Sequence, residues 1–540
     1  GIKQIDETNV YILDILTSLV DKSLIRRTEQ AGGKQRLIML ETIREYAAER
    51  LDEDSDFHAA AKRKHAVFYA DFSRKQWKRL TGNERETALQ EFEENIENVR
   101  IAWQYWVIES DFEQLQKLTD SLWLLFHARG WYSAIVELTT DLLKVLASTP
   151  TTQERSKQEI MLQTSLGRVL MAIKGCTPEV EGIFTHALEL CKIYGEIPNS
   201  FPILRALASF YGFLGNMDKC KSLGNQILSL AEKLDDVIMK VEGYLLVGYT
   251  SAFTGDLNKG LEYLEKGIAI YKTDSGGSRS FKFGNNPGLI VHTTSALCSW
   301  MLGYPERAFK FSEGALELAE KLDHPSSKIY VLFHTGLLHH YKREDEIALM
   351  YAETALEIAD NNEFEIRKAV VSCLHGAALA VTGKVEDWMA AFNHGLNMYS
   401  ELNTPPVFWP LLLLLKAGVY IQAKKFKQVM DIIEETFTIF KQATGNPMLS
   451  ELYRLKGDVL IMAKPDEFTQ AEGLFEQALQ IARKHNTATF ELRAAISLCQ
   501  LWRTQGKAEQ GRQILSEAYD KFTEGFDSVD LIEAKSLLAE

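Results

Sequence analysis

Three histidines lie close together at His334, His339 and His340, and histidine is the commonest metal-ligating side chain. Two ligands on one helical face need an i,i+4 spacing. The offsets here are five and six residues, so the cluster predicts solvated or groove-lining histidines instead of a metal site. The six cysteines (Cys176, Cys191, Cys220, Cys298, Cys373 and Cys499) form no CxxC pair, which signals neither zinc nor redox chemistry and fits a reducing cytosol. "GGKQRL" (32–37) and "TGKVED" (382–387) carry glycines and a lysine, but neither matches G-x-x-x-x-G-K-[ST] or follows a buried strand. There is no HExxH, no GxSxG and no Cys/His signature. Acidic runs such as "EFEEN" (91–95) read as solvated helix faces. The residues therefore predict a chain that is not an enzyme, with no catalytic, metal or cofactor-binding residues of its own.

Recognition is the chemistry left, and bulk properties narrow it. A chain of 540 residues exceeds one compact core, so several domains or one elongated array is expected. Hydrophobic residues make up 46% and charged residues 25%, an ordinary balance for a folded protein, and only 12 prolines and 34 glycines interrupt it. The net charge is −14, and no basic domain or stripe is present to neutralise phosphates, which argues against a nucleic-acid binder. The most apolar run, "PVFWPLLLLLKAGVYI" (406–421), is broken by two prolines and Lys416, short of the ~20 apolar residues a membrane span needs. No signal peptide opens the chain, so a cytoplasmic location is expected. The chain does not begin with Met, which suggests a part of a larger protein.

Internal repetition organises most of the sequence. "LLVGYTSAFTGDLNKGLEYLEKGIAIY" (245–271), "ALCSWMLGYPERAFKFSEGALELAEKL" (296–322), "HTGLLHHYKREDEIALMYAETALEIAD" (334–360) and "CLHGAALAVTGKVEDWMAAFNHGLNMY" (373–399) share small residues at matching places. The early small residue serves as an anchor: Trp123 (a poor match), Gly167, Ala208, Gly248, Ala296, Gly336, Gly376, Ala417, Gly457 and Cys499. A glycine follows seven residues later at Gly130, Gly215, Gly255, Gly303, Gly383 and Gly506. Small residues suit a close helix crossing, and glycine suits a turn that needs positive φ. This pattern resembles tetratricopeptide (TPR) repeats. Successive anchors are 44, 41, 40, 48, 40, 40, 41, 40 and 42 residues apart, against a standard period of ~34. Each helix pair is thus about six residues longer than standard, nearly one extra turn per helix. The predicted fold is all-α: a right-handed α-solenoid of about ten long-helix TPR-like pairs.

In such arrays the first helix of each pair lines a concave groove. By register from the anchors, Tyr249, Phe253, Thr293, Leu297, Trp300, Tyr330, Phe333, Leu337, His340 and Tyr341 face it. Aromatics give large contact area at low entropic cost, which suits ligand or peptide recognition; the same rings could instead pack on one another. The 48-residue step holds "KTDSGGSRSFKFGNNPG" (272–288), a loop by composition, from which Arg279, Lys282, Asn285 and Asn286 could add polar contacts. Trp103, Trp106, Trp123 and Trp131 fall mostly on a buried helical face and read as core.

The opening segment breaks the helical pattern. "VYILDILTSLVDKSLI" (10–25) is helical, "LIRRTEQAGGKQRLIML" (24–40) reads as strand, Gly-Gly turn, strand, and "ETIREYAAERL" (41–51) is helical again. Helix, β-hairpin, helix is the end of a winged helix. "LTSLVDKSLIRR…RLIMLETIREYAAERL" resembles the winged helix that closes the nucleotide-binding module of STAND proteins, signal-transduction ATPases with numerous domains. "EFEENIENVRIAWQYWV" (91–107) is similar to the helix that follows it in the bacterial branch. "GNNPGLIVHTTSALCSWMLGYPERAF" (284–309), together with "ELRAAISLCQLWRTQGK" and "FTEGFDSVDLIEAKSLL" between 491 and 538, resembles repeats of STAND proteins fused to DNA-binding regulators or class III adenylate cyclases.

The resemblance implies a division into a winged-helix remnant (1–52), a helical linker (53–112) and a TPR-like array (113–540). It implies a sensor that binds a protein, peptide or small-molecule inducer and controls oligomerisation and output of N-terminal domains. Those domains, including an ATPase that takes ATP or ADP, would precede residue 1. The alternative is a constitutive TPR scaffold that holds partner proteins without a nucleotide switch. Residues 1–50 carry eight basic and eight acidic groups, so packing of the winged helix on the ATPase is expected ahead of DNA contact.

Overall fold

A computed structural model of the chain describes residues 7–29, 35–80, 85–129, 131–150, 152–195, 199–272, 286–322, 325–360, 365–380, 385–401, 409–442, 446–464 and 467–539. The chain folds as two units, residues 1–149 and 150–540.

The first unit starts with α1 (Glu7–Asp21), β1 (Ile25–Glu29), β2 (Gln35–Met39) and α2 (Glu41–Asp52). The strands pair antiparallel from Ile25↔Met39 to Glu29↔Gln35. The Gly-Gly turn between them lies outside the described residues. A helical group follows: α3 (Ser55–Leu80), α4 (Arg85–Glu93), α5 (Ile96–Ile108), α6 (Phe112–Arg129) and α7 (Tyr132–Ala147). Its core holds Trp103 and Trp106, and the Trp106 indole N–H donates to the Ala66 carbonyl at 3.2 Å. Trp123 is half-buried, and Trp131 stands outside the core because it occupies the N-cap of α7, its ring 5.8 Å from Phe126. Leu37, Ile38, Tyr46, Phe57 and Phe68 form exposed apolar surface in this unit.

The second unit is a run of helix pairs. They are α8 (Gln153–Lys174) with α9 (Pro178–Ile193), α10 (Ser200–Phe213) with α11 (Met217–Leu234), and α12 (Val237–Phe253) with α13 (Leu257–Tyr271). Then come α14 (Pro287–Met301) with α15 (Pro305–Leu322), α16 (Pro325–Tyr341) with α17 (Asp345–Asp360), and α18 (Glu365–Leu379) with α19 (Val385–Glu401). The last are α20 (Trp409–Gln422) with α21 (Phe426–Gln442), α22 (Leu449–Ala463) with α23 (Phe468–His485), and α24 (Ala488–Thr504) with α25 (Ala508–Tyr519), closed by α26 (Val529–Ala539). Local chemistry sets many of the starts. The side chains of Thr152, Thr177, Asn216, Asp236 and Asp256 each accept an N–H of the following turn, and proline opens α9 and α14. First helices of successive pairs pack on one another, as α12 does on α14, α14 on α16 and α16 on α18. This is an α-solenoid of TPR-like pairs, preceded in sequence by the hairpin-bearing N-terminal segment.

The anchors explain the pairing. A Cβ on Gly167 would lie 2.6 Å from Phe184, one on Gly457 2.5 Å from Phe475, and one on Gly376 2.5 Å from the backbone nitrogen of Phe392. The second helix therefore crosses where a side chain is missing. Seven residues on, Gly215, Gly255, Gly303 and Gly506 adopt positive φ, as the turn requires, while Gly130 and Gly383 lie outside the described residues. Arg343 and Lys424 stand at the same place after Gly336 and Ala417 and adopt φ of 65° and 54° without being glycine.

Two opposite outcomes follow. Lys424 is exposed, so Lys424→Gly relieves a left-handed backbone and should raise unfolding free energy by about 1 kcal/mol, read by urea denaturation. Gly376→Ala drives a methyl into backbone and should cost about 1–3 kcal/mol in the same assay.

Candidate functional site

Four places recur along the first helices: six and three residues before the anchor, and one and four after it. In α14 these are Ile290, Thr293, Leu297 and Trp300, and in α16 Tyr330, Phe333, Leu337 and His340. The structure gathers these residues into two groups.

The first group centres on Tyr330. Its hydroxyl lies 3.2 Å from the Thr293 hydroxyl, and the Arg367 guanidinium sits 5.1 Å over its ring. The His334 ring packs 4.1 Å away, with its Nδ1–H donating to the Tyr330 carbonyl at 2.8 Å. Phe333 meets His334 edge-on at 5.0 Å. Tyr249 pairs with Phe253 at 4.6 Å and faces the same space. Openness and desolvation coexist here. Tyr249 leaves 37% of its surface open, yet burial pushes its pKa up to about 12. His334 is half-buried, and burial pushes it down to about 4; Arg367, also half-buried, is pushed down to about 10 for the same reason. Desolvation of this kind is the setting in which a polar contact is strong.

The second group is Trp300 and Tyr341, stacked at 5.1 Å and 20°. It is covered by the chain itself. Phe490 of α24 meets Trp300 edge-on at 5.6 Å, Arg493 of α24 lies 5.2 Å over the indole, and the Thr489 hydroxyl donates to the Trp300 carbonyl at 2.5 Å. Arg493 also donates to the Tyr341 carbonyl, where α16 ends and its dipole favours a cation. Its other nitrogens reach Asp530 at 2.7 Å and Glu451 at 3.6 Å. Glu451 pairs with Arg454 at 2.6 Å, and Arg454 with Asp458. Arg343 adds Glu533 at 2.7 Å and Asp530 at 3.4 Å. Pairs whose anchors, Ala296 and Cys499, stand five repeats apart are thus fastened through one guanidinium.

The remaining expected residues are placed as follows. Leu297 and Phe253 pack against the Trp300 cluster, and Leu337 and Phe333 belong to the neighbouring one. His340 turns to Asp345, with Nδ1 at 2.5 Å, and His339 to Glu344 at 2.7 Å. Among the described residues no group of histidine, cysteine and carboxylate side chains could hold a metal ion. Asn286 is buried and caps α14, its Oδ1 accepting from Gly288 and its Nδ2 donating to Tyr271, each at 2.8 Å. Arg279, Lys282 and Asn285 lie outside the described residues. No helix among the described residues is long and apolar enough to cross a membrane.

The inner-face charges are not among the residues expected from the aromatic repeats, although one signal holds them. The same four places applied to every anchor yield Lys117, Asp120, Arg168, Arg205, Glu242, Glu451, Arg454, Asp458, Arg493 and Arg503. Arg205 and Glu242 form a second buried pair at 2.6 Å. Reading only the aromatic repeats hides this charged lining.

A family model described as a winged helix-turn-helix domain matches residues 2–52. No curated protein matches the chain. Among solved structures, the chain is similar to a Rap protein complexed with Competence and Sporulation Factor, at 12% identity and a TM-score of 0.43, over 78% of this chain and 99% of that one. It is similar to a STAND protein with a tetratricopeptide repeat sensor from Pyrococcus horikoshii, at 15% identity and a TM-score of 0.37. That match covers 71% of this chain and 55% of the other. The apo quorum sensor NprR from B. thuringiensis shows 9% identity and a TM-score of 0.37, over 79% and 99%.

The half-buried His334 makes stability depend on pH. An unfolded histidine titrates near 6.5 and His334 near 4, so the unfolded chain binds the extra proton between those values. The contribution is fully present above about pH 6.5 and lost as pH falls toward 4. Between pH 7 and 5, His334→Gln should lose about 1–2 kcal/mol less unfolding free energy than wild type, measured by urea denaturation.

Proposed function

We propose that this chain is the sensor region of a STAND-type signalling ATPase. It takes an inducer on the inner face of its helix pairs and controls the assembly and output of a nucleotide-binding module on its N-terminal side. In this reading residues 1–52 are the winged helix, 53–112 a linker and 113–540 the array. ATP or ADP belongs to the nucleotide-binding module, and the inducer is a protein, peptide or small molecule. The apolar side chains exposed on β2, α2 and α3 support packing of the winged helix on a protein domain. The balance of eight basic and eight acidic groups in residues 1–50 supports that over DNA.

One observation carries the switching part: Arg493 joins α14, α16, α22 and α26 through ring, carbonyl and carboxylate contacts. A surface fastened at one node has two arrangements, closed and released. A ligand shifts them only if it prefers one, since equal affinity shifts nothing. An inducer on the inner face would compete with Phe490 and Arg493 for Trp300 and Tyr341. The Tyr341 hydroxyl is buried without a hydrogen-bond partner among the described residues, so the closed state leaves it a donor that a ligand would satisfy.

Amide hydrogen exchange on Arg493→Ala tests this. Exchange in α24–α26 and at the end of α16 should rise roughly tenfold or more while α8–α13 keep their protection. A uniform rise across the second unit, or none anywhere, sinks the switch and leaves the rigid scaffold.

A further inference from the structure

In the pairs α10–α11 and α12–α13, the residue eight places after the anchor caps the second helix. Asn216 accepts the amide of Lys219 at 3.2 Å, and Asp256 accepts that of Lys259 at 3.1 Å. The next pair, α14–α15, has Tyr304 at this place. Its side-chain oxygen stands at the far end of a rigid ring and cannot turn back on the amide three residues on. That amide belongs to Arg307, and it is paired from elsewhere. The Glu524 carboxylate, from the loop between α25 and α26, accepts the Arg307 N–H at 3.1 Å.

The contact runs both ways. Glu306, in the first turn of α15, accepts the Gly525 N–H at 3.4 Å. Two carboxylates and two amides thus exchange hydrogen bonds as in a capping box, but between residues 217 apart in the chain. A carboxylate is also the charge that a helix N-terminus favours. Gly525 lies so close over the buried Pro305 that a Cβ would stand 2.1 Å from its Cγ, and its φ is 73°. On either side the loop is held again: a Cβ on Gly303 would meet the Phe522 ring at 3.1 Å, and Asp527 reaches Lys342 at 3.6 Å.

We infer that residues 522–527 are a strap that caps α15 in trans, so that the first turn of α15 is fully held only while the C-terminal helices are docked. The inference goes beyond the sensor reading, because it concerns what the placement of α24–α26 does to a distant helix and needs no inducer. α26 begins just after the strap and carries Asp530, the partner of both Arg493 and Arg343. Displacing α26 would withdraw Glu524 and leave the Arg307 amide unpaired. The helices α11 and α13 carry their own caps and would not register the same event. Tyrosine in place of asparagine or aspartate therefore turns a local cap into a coupling between the end of the array and its middle.

Amide exchange on the whole chain tests this with two variants. In Glu524→Ala, exchange at residues 306–309 and 522–528 should rise about fivefold or more. Tyr304 leaves 37% of its surface open, so an aspartate there meets solvent and can cap α15 locally. Adding Tyr304→Asp to Glu524→Ala should bring 306–309 back to within about twofold of wild type while 522–528 stays raised. No rise at 306–309 in Glu524→Ala, a rise there that Tyr304→Asp leaves in place, a return of both segments together, or a uniform rise across the second unit overturns the inference. The Arg493→Ala experiment leaves Glu524 and Tyr304 unchanged, so either reading can fail while the other stands.

Discussion

Much of the second unit depends on how closely two helices cross at a residue that has almost no side chain. At Gly376 the backbone nitrogen of Phe392 occupies the place where a methyl would begin, and Gly167 and Gly457 receive the rings of Phe184 and Phe475 in the same way. Fixing that crossing fixes which side of the first helix faces its own partner. The other sides of that helix are then left to neighbouring pairs, whatever residues the sequence puts there. At α14 and α16 the recurring places include Trp300, Tyr330 and Phe333. At α8, α10 and α12 they include one charge each, Arg168, Arg205 and Glu242, and at α22 three, Glu451, Arg454 and Asp458. The first helices therefore carry chemically different zones on one geometry.

The charged zones behave differently from surface ion pairs. Arg493, Glu451 and Asp530 are each at most 13% exposed, so their attraction is weakly screened and the loss of one partner strands another in a poorly solvating place. Asp458 shows the balance: burial raises its pKa while Arg454 lowers it, and burial wins. Such networks favour one arrangement sharply and tolerate intermediate ones badly. That property keeps Trp300 covered by α24.

Legibility followed the range of the interaction. The anchors, the caps and the turn glycines are local, so the residues announce them; Thr177 followed by Pro178 needs no tertiary information to start α9. The left-handed turns at Arg343 and Lys424 could not be seen, because the crossing imposes that backbone and the residue there only tolerates it. Trp131 misled because helical spacing places it on the buried face, while the chain ends α6 before reaching it. The covering of Trp300 by Phe490 and Arg493 was beyond reach for another reason. It joins α14 to α24, pairs five repeats apart, and no single repeat carries its signature.

Most solenoids are free to gain or lose a unit, because each repeat answers only to its neighbours. This one is not. The guanidinium of Arg493 must arrive opposite Trp300 and the end of α16, and it does so only if the number of intervening pairs and their length are kept. Duplicating one pair between α16 and α22 would carry α24 past its receptor even though every local contact survived. The long-range contact thus acts as a ruler on the gene: point changes can drift within each helix, but copy number is held, and recombination between repeats, the usual route by which such arrays diversify, is closed to this stretch.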